Sequence, residues 1–426
     1  MNIMINYTFN QLPNGLKIIS APLENSQVGT MMILVGVGSR DEIDRQAGIS
    51  HFLEHLLFKG TKSRPSTLSI SRELDKLGAQ YNAFTSLEYT GYWFSAAAGQ
   101  FPAAFAVLTD MFFNSLLVEE EVEREKGTIL EEINMRNDVP QDRVEQTLHQ
   151  LMYPDQPFGR DIIGSKKTVS AITRKNLLDY YRQRYQPAQT MIIIAGDNQK
   201  MAQWQRLTED AFANWRPLTH PFSRQPVAVE QRQPRQEWEK KSVDQGHLRI
   251  GFRAVNAISP QAPVLEILAN ALGGMMSSPL FLEVRERRGW AYSVKAEAGT
   301  VSDTGWLEIK AGLTLEHLEE AAELIWRLCR EMAEKPLSPD DLEKARDNWL
   351  GHFYLDLQTA EDIARFLADE AYYFSRPRQP EEIEKQIRAV TGRDIQNLAQ
   401  KIFQPENFNL ALISPIRPIS LLDKFD

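Results

Sequence analysis

The chain has 426 residues, 42% apolar and 25% charged, enough for a sizeable core divided over two or three domains. Its formal charge of -9 argues against general nucleic-acid binding and is compatible with a cationic ligand. The single cysteine, Cys329, excludes an internal disulfide and a thiolate zinc cluster.

In chain order, the start "MNIMINYTFNQLPNGLKIISAPL" lacks the basic flank and apolar core of a signal peptide, and no apolar run reaches spanning length. A cytoplasmic protein without a membrane span is therefore expected. "LPNGLKIIS" places a turn before an alternating run, as in a hairpin, and "TMMILVGVGS" reads as a further strand.

The segment "GISHFLEHLLFKGT", residues 48 to 61, has helical spacing. At about 100° per residue, His51, Glu54, His55 and Phe58 share one face, while Phe52, Leu53, Leu56 and Leu57 form an apolar wall opposite. Lys59-Gly60 followed by Pro65 marks a stop. Seven histidines in 426 residues give roughly 0.1 chance pairs at i, i+4, and a glutamate at one fixed position lowers this about tenfold. Two imidazoles and a carboxylate on one helical face therefore point to a metal site. An open catalytic zinc site needs a third protein ligand, commonly a carboxylate. "EEEVEREKGTILEEINMR", residues 119 to 136, supplies candidates. Glu125 and Glu132 lie two turns apart on one face, Glu131 is the neighbouring alternative, and spacing does not choose between them.

Further along, "SAITRKNLLDYYRQRYQPAQTMIIIAGD" is echoed by "AVTGRDIQNLAQKIFQPENFNLALISP". Thr173 pairs with Thr391 and Pro187 with Pro405, both at offset 218 (391 − 173, 405 − 187). "LLVEEEVEREK" is echoed by "PLSPDDLEKAR", where Leu117 pairs with Leu337 at offset 220 (337 − 117). Two echoes in the same order predict a duplication. The expected fold is α+β: two homologous domains, each a largely antiparallel sheet covered by helices. The expected boundaries are 1–215 and 243–426, with a proline-rich and charged linker at 216–242 that holds at most a short strand at "PVAVE". At offset 220 Glu125 meets Ala345 and Glu132 meets His352, and "LEILANALGGMMSS" contains no histidine, so the second half is expected to bind no metal.

At these residues the sequence resembles a known family. "HFLEH" matches the inverted zincin motif H-x-x-E-H. With "YNAFTSLEYT", "EREKGTILEEI" and "LFLEVRERRGWAYSV", it resembles the pitrilysin and mitochondrial processing peptidase superfamily of zinc metallopeptidases along essentially the whole chain. The resemblance implies His51, His55 and Glu132 as ligands of one zinc per chain, Glu54 as catalytic base and Glu125 as its outer support. It implies Asn82 and Ala83 on an edge strand that holds substrate backbone, and Arg285 and Tyr292 as donors from a second domain facing the first as a clamshell. It further implies a zinc endopeptidase acting on extended or unfolded peptides, working as a homodimer or with a homologous, inactive subunit. Pro279, after "GGMMSS", departs from the basic residue relatives often carry there. The alternative within the same fold is a non-catalytic scaffold or partner, in which Glu54 or a ligand should be missing; all are present.

Overall fold

The computed structural model describes residues 4–218, 223–228 and 230–417. The first half runs β1 (Thr8–Gln11), β2 (Lys17–Leu23), β3 (Val28–Val35), α1 (Ile49–Leu57), α2 (Thr67–Lys76), β4 (Gln80–Thr85), β5 (Thr90–Ala97) and α3 (Phe101–Asn114). It continues with α4 (Glu119–Asp138), α5 (Pro140–Met152), α6 (Lys166–Ala171), α7 (Arg174–Arg184), β6 (Thr190–Asp197) and α8 (Asn198–Phe212). The second half runs β7 (Arg235–Lys240), β8 (Gly246–Ala254), α9 (Ala262–Ala269), β9 (Ala291–Thr300), β10 (Gly305–Leu313) and α10 (Leu318–Glu334). It ends with α11 (Pro339–Leu355), α12 (Ala360–Tyr373), α13 (Pro380–Ala389), α14 (Gly392–Ile402) and β11 (Asn409–Ser414).

The repeat is visible in the local chemistry. α7 and α14 each start behind a threonine whose hydroxyl accepts an amide three residues on, Thr173 from Asn176 and Thr391 from Asp394. Each helix is followed by one proline-led turn and then a buried strand, β6 or β11. One sheet has the order β1-β2-β6-β3-β5-β4 and the other β7-β11-β8-β10-β9. All pairs are antiparallel except β2 with β6 and β7 with β11. The fold is α+β, as expected, with the β1–β2 hairpin in place.

The compact units do not coincide with the two halves. One contains Met1–Asn134, Arg160–Gln225 and Asp356–Pro380; the other contains Met135–Gly159, Pro226–Leu355 and Glu381–Asp426. The boundaries expected at 215 and 243 do not take account of this exchange. Its cause lies in the sheets. β3 is buried along nearly its whole length, so its alternating side chains need cover on both faces. Met31, Ile33 and Val35 pack with Phe52, Leu53 and Phe105 on one face. Met32 and Leu34 pack with Ile363, Ala364 and Leu367 on the other. That second cover is α12, a helix of the second half. In the other unit α5, from the first half, lies against β8 and β11. Gly251 permits this approach, since a Cβ there would come 2.7 Å from the Met152 sulfur and 2.9 Å from Leu148.

The linker also departs from expectation. Residues 226–228 form no strand; the strand is β7, at 235–240, which pairs in parallel with β11 at the sheet edge. Arg224 is fixed in the first unit, where its guanidinium donates to both Asp41 oxygens at 2.7 Å and to the Tyr372 hydroxyl at 2.6 Å. Among the described residues no helix is long and apolar enough to cross a membrane.

Candidate metal centre

α1 is positioned from its start. Gly48 adopts φ 94°, where a Cβ would meet the Ile163 carbonyl oxygen at 2.5 Å, so glycine is required. The buried Glu42 carboxylate accepts the Gly48 amide at 2.7 Å and the Ser50 amide at 2.8 Å. An acceptor there satisfies donors that a helix start leaves open and complements its partial positive charge. Burial pushes the Glu42 carboxyl up to about 7, against the opposing effect of those hydrogen bonds and of Arg160. Phe52, Leu53, Leu56 and Leu57 are buried in the core beneath the sheet, which fixes how the helix is rotated.

That rotation brings His51, Glu54 and His55 to the opposite face. The two imidazole Nε2 atoms lie 3.2 Å apart. From α4, Glu132 Oε2 comes within 3.6 Å of His51 Nε2 and 3.9 Å of His55 Nε2. Ligands at zinc distances of about 2.0–2.2 Å in a tetrahedron are about 3.3 Å apart, so the spacing fits the ion. The donor set of two nitrogens and one carboxylate leaves a fourth position open, as catalytic zinc requires. Among the described residues, His51, His55 and Glu132 are the one group of histidine, cysteine or acidic side chains with metal-holding geometry. Glu131 is exposed on the far side of α4, near the Asn134 amide. Of the two glutamates that spacing left open, Glu132 is the one beside the histidines.

Glu125, seven residues earlier on α4, is buried and holds His55 Nδ1 at 2.8 Å. A hydrogen bond at Nδ1 aims the Nε2 lone pair at the ligand position. Burial disfavours the charged Glu125, yet the bonds from His55 and Lys59 outweigh it and hold its carboxyl below the ordinary range. Burial raises the Glu54 carboxyl, partly offset by the Thr85 hydroxyl, which donates to Glu54 Oε2 at 2.6 Å. Burial would lower His55; the Glu125 hydrogen bond and the surrounding carboxylates raise it instead.

Asn82 and Ala83 are on β4, which ends the sheet order and contacts α1. In the other unit, a π-type turn over Phe281–Glu286 carries Arg285. Its guanidinium carbon lies 5.4 Å from the centre of the Tyr292 ring and 4.8 Å from that of Phe281. The guanidinium thus lies over the Tyr292 ring. Tyr292 is 76% exposed and, with Arg285, lines a cavity of about 650 Å³ within its own unit.

The family model described as "Insulinase (Peptidase family M16)" matches residues 17–166, and "Peptidase M16 inactive domain" matches 171–348. A protein of Streptomyces coelicolor named an uncharacterized zinc protease is 32% identical, covering 95% of this chain and 89% of its own length. The chain belongs to peptidase family M16. A Bacillus subtilis member, also named an uncharacterized zinc protease, is 31% identical over 94% of this chain and 97% of its own. A protease from Helicobacter pylori shares the fold with a TM-score of 0.90 at 22% identity, over 97% of this chain and 100% of that one. A putative M16-like peptidase from Alicyclobacillus acidocaldarius does so with 0.84 at 23%, over 97% and 99%.

Sequence reasoning missed Thr85, Lys59 and Glu42. Lys59 carried a signal, since it continues the i, i+4 series from His51 and His55. Thr85 carried none, because its partner is set by the fold, and Glu42 bonds the nearby Gly48 and Ser50 amides without any periodic spacing to mark it.

Proposed function

We propose that this M16 chain is a zinc endopeptidase that hydrolyses extended or unfolded peptides. The observation that carries the reading is the convergence of His51, His55 and Glu132 with Glu54 on the same helical face. These three residues would hold one zinc, which when bound supplies a Lewis acid and an acidified water. Glu54 takes the proton of the attacking water and delivers it to the leaving amine. Thr85 holds the Glu54 carboxylate by one oxygen, leaving the other for that transfer. Glu125 keeps the His55 ring oriented. The outer edge of β4, at Asn82 and Ala83, binds substrate main chain as an added strand. Arg285 and Tyr292 donate hydrogen bonds to the same substrate. A cytoplasmic location, and assembly with a second copy or an inactive homologous subunit, belong to this reading.

The test is metal analysis of the purified full chain, combined with cleavage of a peptide mixture read by mass spectrometry. One zinc per chain is expected, and cleavage should stop with a chelator and return with zinc. A stoichiometry near two, or intact peptides from the zinc-loaded chain, would contradict the reading.

For Arg285 and Tyr292 the expected cost follows from donors aimed at developing charge, about 2.7 to 4 kcal/mol each in the transition state. Arg285→Ala and Tyr292→Phe should each lower turnover by roughly a hundredfold or more, with zinc content and melting temperature nearly unchanged. Wild-type rates in both variants would remove the pair from the reaction.

A further inference from the structure

Glu125 has two carboxylate oxygens and two partners. Oε1 meets His55 Nδ1 at 2.8 Å, and Oε2 accepts from the Lys59 ammonium at 2.6 Å. The Glu125 side chain is only 3% exposed, so water does little to steady its charge or its direction. A buried carboxylate in that setting needs a fixed cationic partner. Lys59 stands four residues beyond His55, and its amide bonds back to the Leu56 carbonyl, so its backbone is held just past the last turn of α1.

We propose that Lys59 is a positioning residue for the metal centre, acting through Glu125 to set the direction of the His55 ring. This rests on reading His51, His55 and Glu132 as the zinc site. With Oε2 tied to Lys59, the carboxylate cannot swing about its side chain, and Oε1 stays in line with Nδ1. Nε2 is then directed at the position facing His51 and Glu132. Without the ammonium, Glu125 keeps one anchor, a ring that can itself rotate, and the preformed ligand geometry loosens. Lys59 lies outside the ligand set and outside the acid-base step, so its effect should appear in metal affinity before any substrate is added.

The experiment measures zinc dissociation constants by chelator competition on the full chain, for wild type, Lys59→Met, Lys59→Arg, Glu125→Gln and the Lys59→Met/Glu125→Gln double variant. Outer partners of metal ligands typically affect affinity by about 10- to 100-fold. Lys59→Met should weaken zinc by about tenfold, and Lys59→Arg should recover most of it, because a guanidinium still donates to the carboxylate. In the Glu125→Gln background the lysine change should cost nothing more, since partners in one chain of contacts are not additive. Zinc affinity of Lys59→Met equal to wild type would overturn the proposal. So would an equal loss in both backgrounds, or a loss that Lys59→Arg does not relieve. A wild-type chain that takes up no zinc would instead remove the underlying reading of the site.

Discussion

Glu54→Gln protein is expected to keep its zinc and lose between about a hundredfold and ten-thousandfold of its turnover, the usual contribution of a positioned proton-transfer group. The substitution preserves size, and a glutamine oxygen still accepts from the Thr85 hydroxyl that now bonds Glu54. His51, His55 and Glu132 are untouched, so metal content should stay at the wild-type level. What disappears is the carboxylate on the histidine face of α1, where Phe52, Leu53, Leu56 and Leu57 occupy the other side. The measurement is turnover of one peptide at saturating concentration beside metal content of the same preparation. Near wild-type turnover would mean that another group moves the proton. Loss of zinc together with activity would make Glu54 part of the metal's binding instead.

Three of the four candidate residues were legible because they obey a local rule, while spacing left Glu132 open against Glu131. His51, Glu54 and His55 are joined by helix geometry alone, and the apolar wall of the same nine-residue segment says which face is turned inward. The strands β2 and β3 were legible from pattern as well, an alternating run after a turn and a long apolar run. β7 was not: "RQEWEK" carries charge at four of its six positions and joins the sheet only at an edge, so its pairing with β11 comes from register rather than from its own pattern. The exchange of segments between the two units was hidden on a different ground. Periodicity in α12 tells that one face is apolar, but not that this face covers Met32 and Leu34 of a sheet hundreds of residues earlier. Sequence echoes show that two segments are alike and do not show which copy packs where. Thr85 follows the same logic, because it acts on Glu54, a residue that only the finished fold brings near.

The choice between Glu131 and Glu132 gives the sharpest test of the metal assignment, because two adjacent identical side chains should behave oppositely. Successive residues on a helix are turned about 100° apart, so only one of the pair can face α1. The buried Val122, Glu125, Ile129 and Ile133 define the inward side of α4, and Glu132 borders it while Glu131 is exposed. Glu132→Ala removes the proposed third ligand, and the loss of affinity should exceed the roughly 10- to 100-fold typical of an outer partner. His55→Ala should lose zinc as well. Glu131→Ala should leave zinc affinity, turnover and melting temperature close to wild type, as surface substitutions usually do within about 0.5 kcal/mol. Chelator competition on the two glutamate variants, run side by side, reads the answer without any substrate. Zinc retained in Glu132→Ala and lost in Glu131→Ala would require α4 to be rotated by about one residue, which would also carry Glu125 away from His55 and Lys59. The outcome for one pair of neighbours therefore bears on the orientation of the whole helix.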